Sequence, residues 1–325
     1  MSQITIVGLG LIGSSIGLGL KELEQNYTIV GHDKDHKPMD RAGKLGAVDK
    51  THWNLIAACE DADMIILAIP INDIGPTMEA IKLDLKQGCL LMDTAPLKRP
   101  VQKVAETYLP EDVHFIGSNP VLLRNEGLTV ADASARLFQG ATWTLCPSET
   151  ASAEAVNVVA NMVTALGAKP YFLSPEEHDG LMAAAESLPL MLSGALMHAV
   201  SASKSWREIR RMAGGQFERV TEMPEHDPEA LTEIVFENRD NVSHWIEVLM
   251  AELQGWIQAL QNEDAAVIQS WFEAAQQERS QWRKLRKSGD WDETVKSQNV
   301  EYGGFFSRMF GGSLVGSKNK KMWKE

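Results

Sequence analysis

The feature that most constrains this chain is a glycine-rich turn near its start, set between two strand-like runs. Ile4 to Val7 is a short β-branched run that predicts a buried strand, and Gly8-Leu9-Gly10-Leu11-Ile12-Gly13 follows it directly. An apolar, helix-like stretch continues to about Leu23, and a second strand pattern, Tyr27 to Asp33, ends on an acid 20 residues after Gly13. Together these elements form the fingerprint of a dinucleotide-binding βαβ unit. The sequence therefore predicts a Rossmann-type α/β fold.

Each glycine of the turn has a separate predicted task. Gly8 permits a tight turn, Gly10 lets the backbone approach a pyrophosphate, and Gly13 lets the helix pack closely on the strand. Leu11 and Ile12 begin the helix, whose first backbone N–H groups bind phosphate. The alternative is a glycine-rich turn that binds no ligand, although three glycines in register with an acid are costly for stability alone.

The acid at the end of the second strand predicts which cofactor is bound. We expect Asp33 to accept hydrogen bonds from the adenine ribose hydroxyls. A carboxylate repels a 2′-phosphate, so NAD is favoured over NADP, and the flanking His32 and Lys34 weaken that preference.

Further strand patterns alternate with helical ones, which indicates a doubly wound parallel sheet. The patterns that predict strands cover residues 64–69, 89–93, 114–117, 142–146 and 169–173. Ala68, Ile69 and Pro70 follow the crossover and are predicted to border the nicotinamide end of the cofactor crevice. The loop from Asp93 through Thr94 to Lys98 either faces the same crevice or is an ordinary strand-to-helix connection with Lys98 in solvent.

The sequence predicts three regions. Residues 1–174 form the dinucleotide-binding domain, residues 175–287 an all-α substrate and dimerisation domain, and residues 288–325 a flexible basic tail rich in Gly, Ser and Lys. Within the second region, Val235 to Leu260 has the apolar spacing of one long amphipathic helix. In the tail, residues 303–312 place four bulky apolar residues between glycine pairs, so docking on a protein or a membrane is an alternative to a loose terminus.

Composition excludes several classes of function. The net charge of −13 argues against nucleic-acid binding, although residues 279–325 carry 11 Lys and Arg against 5 Asp and Glu. The three cysteines lie far apart, which indicates a reducing cytoplasm and no metal site. The longest charge-free run, Ser187 to Ser203, contains Pro189 and His198 and is predicted to be a buried helix rather than a membrane span.

Taken together, residues 1–285 resemble the prephenate and arogenate dehydrogenases of tyrosine biosynthesis. The resemblance rests on the order and spacing of motifs in both regions: the Gly8–Gly13 fingerprint, residues 67–70, Asp93 with Lys98, Gly117 with Pro120, residues 175–179, Leu188-Pro189, Gly214-Gly215, Asp227-Pro228 and residues 236–239. It implies a homodimer formed through the helical region, a small carboxylate substrate, and oxidative decarboxylation with hydride transfer to NAD.

The chain departs from this family at the positions that carry catalysis. The family's proton-accepting histidine lies in a GxHPM segment, which here reads Gly117-Ser118-Asn119-Pro120-Val121, and the family's loop serine aligns with Pro96. An amide orients a hydroxyl but does not take its proton near pH 7. The family's two further histidines are absent from residues 186–190.

Four residues remain as candidates for catalysis: Asn119, Lys98, Thr94 and Arg219. Arg219, with Arg124 as an alternative, is the candidate anchor for a substrate carboxylate. For His178 and Asp179, helix capping and dimer packing are favoured over a role in the cleft. Three functions stay open: an active dehydrogenase of this type, a paralogue acting on another small acid or imine, and a catalytically silent nucleotide-binding dimer.

Overall fold

The computed structural model describes residues 2–23, 27–123, 128–222, 228–289 and 291. Within these residues, the strands are β1 Ser2–Val7, β2 Tyr27–His32, β3 Lys50–Thr51, β4 Met64–Leu67, β5 Leu90–Asp93, β6 His114–Val121, β7 Thr142–Pro147 and β8 Lys169–Phe172. The helices packed around the strands are α1 Leu11–Glu22, α2 His36–Leu45, α3 Leu55–Cys59, α4 Ile71–Ile81, α5 Arg99–Tyr108 and α6 Ala153–Ala165. Those that follow β8 are α7 Pro175–Met182, α8 Leu188–Ser201, α9 Trp206–Met212, α10 Gly215–Val220, α11 Pro228–Glu237, α12 Arg239–Gln261 and α13 Ala265–Ser288.

All eight strands join one sheet in the order β3-β2-β1-β4-β5-β6-β7-β8. Every neighbouring pair is parallel except β6 with β7, which is antiparallel. The predicted doubly wound α/β fold is confirmed, whereas the antiparallel pair and the two-residue strand β3 were not anticipated. The strand order reverses direction between β1 and β4, and in such sheets ligands bind outside the carboxyl ends of the strands at this point.

The sheet is buried on both faces because successive residues of each strand point to opposite sides. Ile6 packs in one apolar cluster with Ile16 of α1 and Trp143 of β7. The next residue, Val7, packs in a second cluster on the other face, with Ile65 among its members. The near-continuous apolar runs of the central strands follow from this two-sided burial.

Strand β6 extends four residues beyond the predicted end at Gly117. Its first part pairs with β5 as far as Ile116, and residues 117–121 pair with β7 alone. Pro120 is tolerated because that part of the strand has one open edge. The extension places Asn119 on a strand rather than in a loop.

The expectation of one helix over residues 235–260 is wrong. Asn238 separates α11 from α12 and is fully buried. Its side chain donates to the Asp179 carbonyl at 2.8 Å and accepts from Arg99. Apolar spacing did not predict the break because a single polar residue causes it through tertiary hydrogen bonds.

Helix α8 is more exposed than predicted. Ser193 is its one buried residue, and Met191, Leu192 and Met197 are each more than a third exposed. The expectation of a buried helix is wrong within this chain, because the described residues cover only one side of α8. The run Pro175–Ser201 is long and apolar enough to cross a membrane by length and composition alone.

The chain divides into two compact units, residues 1–253 and 254–325. In the second unit, Trp256 stacks on Trp271 with ring centroids 5.4 Å apart and meets Phe272 edge to face. Residues 303–312, for which docking was considered, lie outside the described residues.

Candidate functional site

The glycine turn after β1 is shaped by contacts between backbone atoms. Gly8 has a φ of +92°, and a Cβ atom built there would lie 2.2 Å from the carbonyl oxygen of Ala68. A Cβ on Gly13 would lie 1.9 Å from the carbonyl oxygen of Gly8. A Cβ on Gly10, in contrast, would meet nothing within 4 Å. Gly8 and Gly13 therefore let strand, turn and helix pack, while the backbone at Gly10 stays open to an incoming group.

Helix α1 begins at this turn without a side-chain cap. Gly10 is its N-cap residue and offers no side-chain acceptor, and Leu11 and Ile12 form the first helical positions. Such a helix start directs backbone N–H groups and the positive end of the helix dipole at an anion. Residues 68–70 follow β4 at the same edge of the sheet, and Ile69 Cγ2 would lie 2.7 Å from a Cβ on Gly8.

Asp33 joins the end of β2 to the glycine turn. Its Oδ2 accepts from the Leu9 backbone N–H at 2.8 Å, and its Oδ1 accepts from the Asp35 N–H at 3.0 Å. Lys34 is exposed and pairs with Asp73 of α4 at 3.2 Å. The carboxylate is thus fixed beside the turn, and the neighbouring cation is already paired with another residue.

The loop after β5 is fixed by a buried ion pair. Lys98 is 1% exposed, and its ammonium group donates to the Asp93 carboxylate and, at 2.6 Å, to the Ser118 carbonyl. Asp93 also accepts from the backbone N–H groups of Ala95 at 2.8 Å and Ser118 at 3.1 Å. Of the two alternatives for Lys98, the one that leaves it in solvent at a helix start is wrong, because this pair satisfies both charges in the protein interior.

Asp179 caps helix α5 from a distant part of the sequence. Its two carboxylate oxygens accept from the backbone N–H groups of Lys98 at 2.7 Å and Arg99 at 2.9 Å. The N-terminus of α7, on which Asp179 lies, is capped instead by Ser174 and Glu177. Asp179 therefore caps a helix N-terminus, that of the neighbouring helix α5 and not that of its own helix.

Arg99 links the start of α5 to the start of α12. Its guanidinium donates to both carboxylate oxygens of Asp240 at 2.7 Å and to Asn238 Oδ1 at 2.8 Å. The hydrogen bonds to Asp240 raise the pKa of Arg99, and the guanidinium holds the pKa of Asp240 well below its usual range. This bidentate ion pair fixes the start of α12 against the start of α5.

Asn119 is connected to a buried histidine and carboxylate. Its Nδ2 lies 3.3 Å from His178 Nε2, and His178 Nδ1 lies 2.8 Å from Asp179 Oδ1. His178 and Asp179 are fully buried, and Asn119 is 7% exposed. Sequence reasoning did not predict this connection, because 59 residues separate Asn119 from His178. The adjacency of His178 and Asp179 was its only sequence signal.

The remaining candidates are more loosely placed. Thr94 is half-buried, and its hydroxyl lies 3.5 Å from the Leu67 carbonyl oxygen. Arg219 is exposed on α10, and none of the hydrogen bonds among the described residues joins it to Asn119 or Lys98. Arg124 lies outside the described residues.

The described residues offer neither a metal cluster nor an activated thiol. No group of three His, Cys, Asp or Glu side chains among them is placed to hold a metal ion. Burial raises the pKa of each cysteine, Cys59, Cys89 and Cys146, to about 12. These thiols therefore stay protonated and are poor nucleophiles at neutral pH.

The chain matches two family models in succession. Residues 16–172 match the nucleotide-binding domain of prephenate dehydrogenase, and residues 174–274 match its dimerisation domain. Among curated relatives, a prephenate dehydrogenase of Bacillus subtilis is 27% identical over 84% of this chain and 74% of its own length. A cyclohexadienyl dehydrogenase of Zymomonas mobilis is 28% identical over 85% of this chain and 94% of its own length.

Solved structures share the fold. The Aquifex aeolicus prephenate dehydrogenase, in complex with hydroxyphenyl propionate and NAD+, superposes with a TM-score of 0.80 at 22% identity, over 86% of this chain and 98% of that one. The Synechocystis arogenate dehydrogenase gives a TM-score of 0.75 at 24% identity, over 86% of this chain and 99% of that one. Because the two family models together span most of its length, the chain belongs to the prephenate dehydrogenase family.

Proposed function

We propose that this protein is an NAD-dependent dehydrogenase that oxidatively decarboxylates prephenate or arogenate. The observation that carries the proposal is the ordered match of both family domains over residues 16–274. The cyclohexadienyl, prephenate and arogenate dehydrogenases among its relatives support the substrate class.

The residues of the cofactor end fit a dinucleotide. The open backbone at Gly10 and the start of α1 would receive the pyrophosphate. Asp33 would accept hydrogen bonds from the ribose hydroxyls, and Ala68, Ile69 and Pro70 would border the nicotinamide. When bound, the nicotinamide supplies the hydride acceptor.

We propose NAD rather than NADP as the cofactor. The Asp33 carboxylate, held by the Leu9 N–H, would repel a 2′-phosphate. Lys34, the nearest basic neighbour in sequence, is engaged by Asp73.

The chain's own residues would act on the substrate as follows. Asn119 accepts a hydrogen bond from the ring hydroxyl and orients it, and the hydroxyl proton passes to water as the carbon–oxygen double bond forms. Loss of carbon dioxide returns its bonding electron pair to the ring, and the phenolate so formed takes a proton from water. The aromatic product makes the overall reaction strongly downhill. Lys98 positions the loop after β5, where Thr94 is an additional polar group, and Arg219 is the proposed anchor for the substrate carboxylate.

We propose that the protein acts as a cytoplasmic homodimer. The family's dimerisation model matches the helical region, where α8 and α12 carry apolar side chains that this chain leaves more than a third exposed. They are Met191, Leu192, Met197, Val248, Met250 and Leu253. Light scattering after gel filtration should give about twice the mass of 35.9 kDa, and a single-chain mass would contradict the dimer.

The test of function is an initial-rate assay on the purified protein. Prephenate and arogenate are each offered with NAD and with NADP, nicotinamide reduction is followed by absorbance, and cofactor binding is measured in parallel. Turnover with either substrate supports the proposal. Cofactor binding without turnover on both substrates contradicts it.

Cofactor binding without turnover would favour a different function, and the residues Asn119 and Pro96 give a reason to consider one. Both stand where the family has catalytic side chains, and their replacement suits a paralogue that acts on another small acid or imine. A panel of such acids and imines separates this paralogue from a silent nucleotide-binding dimer, which turns over none of them.

A further inference from the structure

The hydrogen bonds from Asp179 through His178 to Asn119 have a defined direction. An ionised carboxylate only accepts hydrogen bonds, so Asp179 Oδ1 requires a proton on His178 Nδ1, 2.8 Å away. The Nδ2 group of Asn119 can only donate, so His178 Nε2 carries the lone pair that accepts from it. The contact of 3.3 Å from Asn119 Nδ2 to that nitrogen is therefore donated by the Asn119 amide.

The direction of these hydrogen bonds determines which polar atom of the Asn119 side chain remains available to another group. With Nδ2 committed to His178, Asn119 Oδ1 is the remaining polar atom of the side chain. Within the described part of the chain no group donates to Oδ1, and Oδ1 is not sealed from solvent. It is a hydrogen-bond acceptor at the carboxyl edge of the sheet.

Both ends of the chain of hydrogen bonds are held by backbone. Asp179 is fixed by the Lys98 and Arg99 N–H groups. Asn119 is fixed in β6, where its carbonyl accepts from the Thr144 hydroxyl at 3.2 Å. His178 is fully buried between them. Because both ring nitrogens of the buried His178 are hydrogen-bonded, its imidazole is restricted to one orientation.

We propose that His178 is a positioning residue that sets the polarity of the Asn119 amide, so that the site presents an acceptor to the substrate's hydroxyl. This inference rests on the proposed function. As hydride leaves the carbon that bears the hydroxyl, the O–H proton becomes more acidic. An acceptor on that proton is strengthened in the transition state, whereas the N–H groups of a reversed amide would not stabilise it.

A double-mutant cycle tests whether His178 acts through Asn119. The values of kcat/KM are compared for the wild type, His178→Phe, Asn119→Ala and the double variant, with the substrate that the wild type turns over. We expect His178→Phe to lower kcat/KM by about three- to tenfold, the effect of misdirecting one neutral hydrogen bond. In the Asn119→Ala background the same change should cost nothing further. An equal loss in both backgrounds would overturn the proposal and leave His178 a merely structural role.

A spectroscopic measurement covers the cases in which a variant does not fold or the wild type turns over neither substrate. In full-length protein labelled with ¹⁵N-histidine, the two ring nitrogens have different shifts when protonated and unprotonated. We expect His178 as the Nδ1–H tautomer, assigned by loss of its signals in His178→Gln. An Nε2–H tautomer would overturn the proposal. Failure of turnover alone would contradict the proposed function and leave this readout intact.

Discussion

At one edge of a single sheet, the turn after β1 and the loop after β5 are held in different ways. The turn is shaped by backbone atoms meeting backbone atoms, as at Gly8, Ala68 and Gly13. The loop is held by buried side chains, chiefly Lys98 with Asp93 and Asp179 with the start of α5.

The difference fits the prediction that departures from the family pattern fall outside the glycine turn, among them those in the loop after β5 and in β6. Where two backbone segments touch, a Cβ atom does not fit and only glycine is accommodated. Any substitution of Gly8 or Gly13 would therefore destabilise the turn. A network of side chains can exchange one hydrogen-bonding member for another of similar size and remain satisfied. The motif resemblance predicts Asn119 in place of the family's histidine, and such an exchange would leave His178 with a donor.

The largest expected effect comes from restoring the family's residue. Asn119→His places an imidazole where it can take the hydroxyl proton, with His178 Nε2 available to receive its N–H. We expect kcat to rise about 100-fold, the lower range for a positioned general base. Asn119→Gln, which adds length but no base, is the matched control and should not gain. Equal rates for Asn119→His and the wild type would show that loss of this proton does not limit turnover.

The second prediction separates packing from cofactor contact within the glycine turn. Gly13→Ala should lower the free energy of unfolding by about 2 to 3 kcal/mol, because its Cβ meets the Gly8 carbonyl. Gly10→Ala should leave the stability of the cofactor-free protein unchanged, because its Cβ meets nothing, yet weaken NAD binding by about tenfold, or roughly 1.4 kcal/mol. Urea unfolding and calorimetric titration with NAD measure the two quantities. Comparable destabilisation by both variants would remove the distinction between the two glycines.

Sequence reasoning succeeded where the physics is local. Glycine spacing, alternating strand and helix patterns and the acid after β2 each depend on a few neighbouring residues, and they predict the sheet and the tight glycine turn after β1. It failed where distant residues decide the outcome. Asn238 breaks a helix through bonds to Asp179 and Arg99. Lys98 is held in the interior by the Ser118 carbonyl and by Asp179, which lie 20 and 81 residues away in the sequence. No spacing rule contains these partners, since the fold alone brings them together.

The third prediction concerns cofactor choice. Asp33→Asn keeps an oxygen for the Leu9 N–H and removes the charge that would face a 2′-phosphate. We expect the ratio of NADP to NAD affinity to rise by about tenfold, roughly 1.4 kcal/mol, while unfolding changes little. Titration of the variant and the wild type with both cofactors measures this ratio. Lys34→Gln is the control, since Lys34 pairs with Asp73, and it should shift the ratio less. An unchanged ratio in Asp33→Asn would mean that Asp33 only shapes the turn.

The smallest effect is expected on the free energy of unfolding, at the ion pair between Arg99 of α5 and Asp240 of α12. Because Arg99 lowers the pKa of Asp240, the pair stabilises the fold above the ordinary carboxyl pKa and loses that contribution as the pH falls below it. Asp240 is 61% exposed, so solvent limits the contribution to less than about 1 kcal/mol. Asp240→Asn should therefore be slightly less stable than the wild type in urea at pH 7, with the difference shrinking towards pH 3. Asp73→Asn, which breaks the exposed pair with Lys34, should show little difference at either pH. If the difference in the free energy of unfolding were the same at pH 3 as at pH 7, the charge of Asp240 would not contribute to it. The hydrogen bond from Arg99 to the buried Asn238 would then be the contact that holds the start of α12 against α5.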